Sequence, residues 1–167
     1  MKPIKKIICI LFIYFINPIS TYGNDSIRFI DLDFILQNSN VGKSALKKIE
    51  NLNTKNINTL KEKENILKDL EKKIASKKNI ISKEVFDNEV TFFREKVNKF
   101  QNEKDKIIDD FNNFKKSELE NVLKKITPII NSYMEKNSID ILLESKNIVM
   151  GKKELNLTNE ILKELNK

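Results

Sequence analysis

The sequence predicts a mostly α-helical chain with a small β body: one long antiparallel helical hairpin, a coiled-coil arm, attached to a short-stranded association domain. Three observations predict it. Apolar residues recur at heptad spacing over two stretches in the middle of the chain. Three glycines and three prolines among 167 residues leave too little turn chemistry for a sandwich or barrel. A charged fraction of 33% suits long helices that bury only a thin seam.

Taken in order, the first 23 residues read as an address. Lys2, Lys5 and Lys6 are followed by an unbroken apolar run from Ile7 to Ile16, and Asn17-Pro18 ends it. Thr21 and Gly23 are small enough for positions −3 and −1 of a signal peptidase site, so the expected leader is 1–23, cut after about Gly23. Ten apolar residues fall short of the roughly 20 that cross a bilayer. The exported chain then lacks cysteine, because Cys9 lies in the leader.

Ile27 to Leu32 mixes apolar and polar strand formers and predicts a strand, leading into a short helical turn at Phe34-Ile35-Leu36. From Val41 the period changes. Leu46, Ile49, Leu60, Leu67, Leu70 and Ile74 occupy two positions of one heptad, with Asn53 filling a gap. Residues 76–83 interrupt the pattern and predict the hairpin turn. Phe86, Phe93, Phe100, Ile107 and Phe114 then repeat every seven residues, with Val90, Val97 and Phe111 four further on and Lys104 as a misfit. Beyond Phe114 the register shifts to Leu119, Val122, Ile126, Ile129 and Tyr133, and Pro128 is expected to kink the helix. Alternation at Ile139, Ile141 and Leu143, a polar turn, and Ile148-Val149-Met150 predict a second hairpin, of strands. Leu157, Ile161, Leu162 and Leu165 predict a terminal amphipathic helix capped by Asn156 or Thr158. The resulting division is 1–23 leader, 24–40 with 121–167 association body, and 41–120 arm with its tip near 76–83. Three short strands bury too little area to stand alone, so an oligomer is expected to complete the body.

Composition excludes several chemistries. Without histidine and with one cysteine, the chain cannot build a Cys/His zinc site, a triad nucleophile or a histidine-ligated haem. Gly42-Lys43-Ser44 resembles the end of a phosphate loop, but Gln37 stands where that motif needs glycine. No catalytic residue, metal site or cofactor is expected, and the chain is not read as an enzyme. The net charge of +7 suggests nucleic acid at first sight, and the leader argues against it.

Residues 27–31 (Ile-Arg-Phe-Ile-Asp), Ile35-Leu36, Ser39 and Gly42-Lys43 at one end resemble the Skp/OmpH family of periplasmic chaperones. So do residues 139–143 (Ile-Asp-Ile-Leu-Leu), Ile148-Val149 and the stretch 157–166 at the other. The family has Asp where this chain has Asn156, a change that costs little because both residues cap helices well. The resemblance implies a homotrimer whose strands associate in a central body. Three helical arms would hang from that body and hold unfolded outer-membrane β-barrel proteins in the periplasm without ATP. The competing reading is a secreted structural coiled coil of the cell envelope, which explains the heptads but not the strand-and-helix ending.

Under this reading three groups of residues are candidates. Lys72, Lys73, Lys77, Lys78 and Lys83 crowd the tip, in an arm half (41–83) carrying net +7, while 84–120 carries net −3. They would attract acidic clients or anionic lipid headgroups, and the plain alternative is a solvated helix end. Phe92 lies beside Phe93 but off the stripe, with Val85 seven residues before it, so both are candidate apolar contacts. Ile27, Phe29, Ile30, Ile139, Ile141, Leu143 and Ile148 are the candidate association-strand residues.

Overall fold

A computed structural model describes residues 26–167, and the leader expected at 1–23 lies outside them. The chain opens with strand β1 (Ile27–Ile30) and helix α1 (Leu32–Asn38). Asp31 separates the two and is fixed on both sides. Its carboxylate accepts from the Phe34 N–H at 2.8 Å, and its own N–H donates to Thr158 Oγ1 at 2.8 Å. A single extended residue, Ser39, then breaks the helix. It is fully buried, and its Oγ accepts from the Gly42 N–H at 3.1 Å, capping α2 (Asn40–Lys77).

α2 and α3 (Lys83–Lys136), of 38 and 54 residues, are joined by the turn at 78–82, inside the interval the sequence predicts. α3 returns along α2. Lys48 pairs with Glu118 at 3.0 Å, Lys63 with Glu103, and Lys77 with Glu89 at 2.7 Å, so the partner's number falls as the first rises. At 1.5 Å per residue α2 is about 57 Å long. The seam differs in detail from the heptad reading. Asn53 is exposed, and Leu52 and Asn56 fill the gap around it. Val97 is exposed as well, while Phe93 and Phe100 on either side of it are half-buried. Pro128 does not end α3, which continues eight residues beyond it.

α3 stops in a left-handed cap. Ser138 has φ 51°, and the Ile139 N–H reaches back to the Met134 carbonyl at 3.0 Å. Glycine is the residue that adopts this conformation freely. Ser138→Gly is therefore expected to be neutral or to stabilise by up to about 1 kcal/mol. Ser138→Val should lose about 1–2 kcal/mol, since a branched Cβ crowds the cap. Equal urea midpoints for the two variants would show that the cap is not held in this form.

The sheet corrects the expected strand hairpin. β2 (Ile141–Glu144) pairs in parallel with β1, Ile27 opposite Ile141 and Ile30 opposite Glu144, and no strand forms at 148–150. Residues 145–147 make a 3₁₀ turn. Ile148 is extended but unpaired, and Val149 and Met150 are 97% and 90% exposed. Ile139 is also outside the sheet: it is buried just before β2. β1 lies in the middle, because its other side bridges to Asn156 and the Phe29 carbonyl accepts from the Leu157 N–H at 2.9 Å. A second 3₁₀ turn (Lys153–Leu155) leads to α4 (Thr158–Leu165). Neither of the two residues proposed as its cap takes the cap position, which falls to Leu157 without a side-chain cap bond. Asn156, one residue before Leu157, holds the first helical residue instead: its Oδ1 accepts from the Thr158 N–H at 2.9 Å and from the Thr158 hydroxyl at 2.6 Å.

The core sits where these ends converge. Ile30, Ile35, Ala45, Val122, Ile126, Ile161 and Leu165 form one buried cluster, drawing on β1, α1, the root of both long helices and α4. Alternation along the strands leaves Ile27, Ile141 and Leu143 on the opposite face, where all three are exposed.

Candidate functional site

The tip lysines are placed by helix ends. Lys72, Lys73 and Lys77 occupy the last turns of α2, Lys78 follows it, and Lys83 opens α3. All five are exposed, but they are not equivalent. Lys77 donates to Glu89 at 2.7 Å, and Lys72 lies 4.0 Å from Asp69. The lysines of the last α2 turns also complement the negative end of the helix dipole, a stabilising role that needs no ligand. Lys83, at the start of α3, faces the positive end and gains nothing there. At the apex, between Lys78 and Lys83, Ile80 is exposed to solvent.

Val85 and Phe92 are both exposed, with Phe92 at 50%, and the Lys96 ammonium stands 4.9 Å from the centre of its ring. Sequence reasoning missed Ile66, Ile80 and Ile108, which are exposed in the same way. The signal that finds them is the apolar doublet. In Ile66-Leu67, Phe92-Phe93 and Ile107-Ile108 one residue enters the seam and its neighbour, about 100° around the helix, is left outside. Ile80-Ile81 is a doublet in the turn itself, with Ile81 half-buried. Ile57 is exposed without such a doublet.

Halfway along the arm, the Lys63 ammonium donates to Glu103 and holds its carboxyl below the usual carboxylate range, with the nearby Lys99 charge adding to the effect. A carboxyl lowered in the folded state stabilises above its unfolded pKa. That contribution fades as the pH falls through the ordinary carboxylate range and below it.

Of the proposed association residues, Ile27, Phe29, Ile30, Ile141 and Leu143 lie in the two strands. Ile30 is spent on the core, while the Phe29 ring lies against Gly151.

The family model for outer membrane protein (OmpH-like) matches residues 26–165, from the start of β1 to the end of α4. The chain belongs to the OmpH-like family. No curated protein matches it. Among solved structures, the OmpH-like chain is similar to an OmpH-like outer membrane chaperone candidate from Caulobacter crescentus CB15. The TM-score is 0.75 at 14% identity, covering 84% of this chain and 83% of the other. At that identity the likeness is one of fold.

Proposed function

We propose that this OmpH-like chain is a periplasmic holdase chaperone. It binds unfolded outer-membrane β-barrel proteins without ATP, cofactor or metal, and it has no catalytic role. The observation that carries the reading is the arm. Two helices packed along one seam leave Ile66, Val85, Phe92 and Ile108 in water among charged and polar residues, apolar surface that a spacer has no need of. Many weak apolar and ionic contacts spread over an arm suit a client with no fixed conformation. The leader at 1–23 accounts for export, 41–120 is the antiparallel coiled-coil arm, and 24–40 with 121–167 is the association body. Tip lysines Lys72, Lys73, Lys77, Lys78 and Lys83 steer acidic clients, and anionic headgroups are a second partner for them.

Assembly follows from the body. The sheet face bearing Ile27, Ile141 and Leu143, together with the Val149-Met150 loop, is apolar and uncovered in a single chain. A homotrimer that buries this face also surrounds a cavity with three arms. The test combines two measurements on the exported chain. Light scattering is expected to give a trimer, and a stoichiometric amount of it should keep a denatured outer-membrane barrel protein from aggregating after dilution, without ATP. A folded monomer at micromolar concentration would end the trimer reading. Aggregation at the rate of the client alone would leave the structural coiled coil as the better account.

A further inference from the structure

The cluster least explained by packing is not at the tip but halfway along the arm. There α2 and α3 flank a shallow, open cleft of about 200 Å³ lined by half-buried Leu67 and Phe100 and by Ile66, which is 66% exposed. Lys96 and Lys99 stand on the rim, and the Lys63–Glu103 pair closes one end. Among the described residues, neither Lys96 nor Lys99 has a carboxylate within 4.0 Å. One helical turn towards the tip, Phe92 continues the apolar surface beneath the Lys96 ammonium.

We infer that this cleft seats one aromatic side chain of an extended client segment whose neighbouring residues are carboxylates. The inference rests on the chaperone reading for its partner and specifies what that partner presents. Several features agree. The volume is below that of sites for drug-sized ligands and suits one side chain. An aromatic ring can pack offset or edge-to-face on the Phe100 ring below. A rim ammonium that folds over its outer face is attracted there, as Lys96 already is over Phe92. The Lys96 ammonium has no carboxylate partner among the described residues, and Lys99 is only partly answered by Glu103, so rim charge remains for carboxylates on either side. At the tip Lys77 and Lys72 have carboxylate neighbours, while Lys73, Lys78 and Lys83 have none within 4.0 Å among the described residues. What sets the mid-arm site apart is the apolar cleft beside its lysines.

The chain has no tryptophan, so an indole in a peptide is the only one in the cuvette. The probe is a Gly/Ser peptide with Glu-Trp-Asp at its centre, titrated with the intact protein while emission and anisotropy are read. Binding is expected with a blue shift. The matching Lys-Trp-Lys peptide should bind at least about fivefold more weakly. The double variant Lys96→Gln/Lys99→Gln should lower affinity for the acidic peptide about fivefold, and leave a neutral Ser-Trp-Ser peptide unaffected. Ile66→Ser should diminish the blue shift. Replacing the five tip lysines by Gln should leave acidic-peptide affinity within about twofold. Equal binding of acidic and basic peptides overturns the inference, as does a larger loss in the tip variant than in the rim variant. Binding of phosphatidylglycerol vesicles but not the peptide, lost on Lys96→Gln/Lys99→Gln, assigns the cleft to lipid and overturns it too. Aggregation suppression measured alongside separates the two readings. If suppression persists while the peptide does not bind, the cleft alone is refuted; if suppression is absent from the wild type, the chaperone reading fails.

Discussion

Gly42→Ala is expected to destabilise the protein by at least about 3 kcal/mol, despite placing a better helix former in a helix. A Cβ at this position would lie 1.9 Å from the Leu36 carbonyl oxygen and 2.7 Å from its carbon. Both are backbone atoms and cannot swing aside as a side chain does. Ser39, between the two helices, leaves no slack. It is fully buried, its N–H is bonded to the Ile35 carbonyl at 2.8 Å, and its hydroxyl caps α2. To admit the methyl, α1 must lift from α2 and take Ile35 out of the core. The helix-propensity gain of about 1 kcal/mol is too small to offset that. Gly151→Ala is the control. There the nearest atom, at 3.0 Å, is the edge of the Phe29 ring, which can yield a few tenths of an ångström, so the cost should stay near or below about 1 kcal/mol. Urea unfolding followed by circular dichroism reads both. A Gly42→Ala midpoint at the wild-type value, or equal shifts for the two variants, would mean that the helices do not cross this closely.

Truncating the two fully buried isoleucines should have effects of similar size. Ile35→Ala and Ile161→Ala are each expected to cost about 2–5 kcal/mol, the range for a core isoleucine whose cavity cannot collapse. Against a typical domain stability of about 5–15 kcal/mol, either one removes a large share. α1 packs directly on α4 and both residues belong to one cluster, so the double variant should lose less than the sum of the two singles. Ile66→Ala, at an exposed position on the arm, should stay within about 0.5 kcal/mol. If Ile66→Ala matched Ile161→Ala in equilibrium unfolding, the core would lie in the arm and not in the body.

The helices were legible because a heptad is a local pattern. Phe86, Phe93, Phe100, Ile107 and Phe114 carry their period wherever the partner lies, and the break at 78–82 shows in the loss of that period. Strand pairing is not local. Ile139 to Met150 has the alternation of a hairpin. Yet β1, more than a hundred residues earlier, offers Ile141–Glu144 a parallel partner, and Ile148 keeps the backbone of a strand without a ladder. The candidate site divides the same way. Phe92 was recoverable from its doublet with Phe93. The rim of the mid-arm cleft was not, because Lys63 and Glu103 meet only once the register of α3 on α2 is known. At the tip, sequence brought five lysines together and could not tell that Lys77 answers Glu89.

The crossing of the chain's two ends in the body sets an order of folding. Ser26 is held by Asp140 across 114 residues, Asp31 by Thr158 across 127, and Asn40 by Asn166 across 126. A chain emerging from its N-terminus carries β1 unpaired until those partners arrive. Contacts so distant are slow to form, since a loop of this length costs about 3 kcal/mol more entropy to close than the five-residue turn of the arm. Zipping α3 onto α2 from the turn outward proceeds by short steps and delivers the root of α3 beside the start of α2. Arm closure before body closure is the expected order, with the hairpin acting as a splint that brings β1's partners within reach.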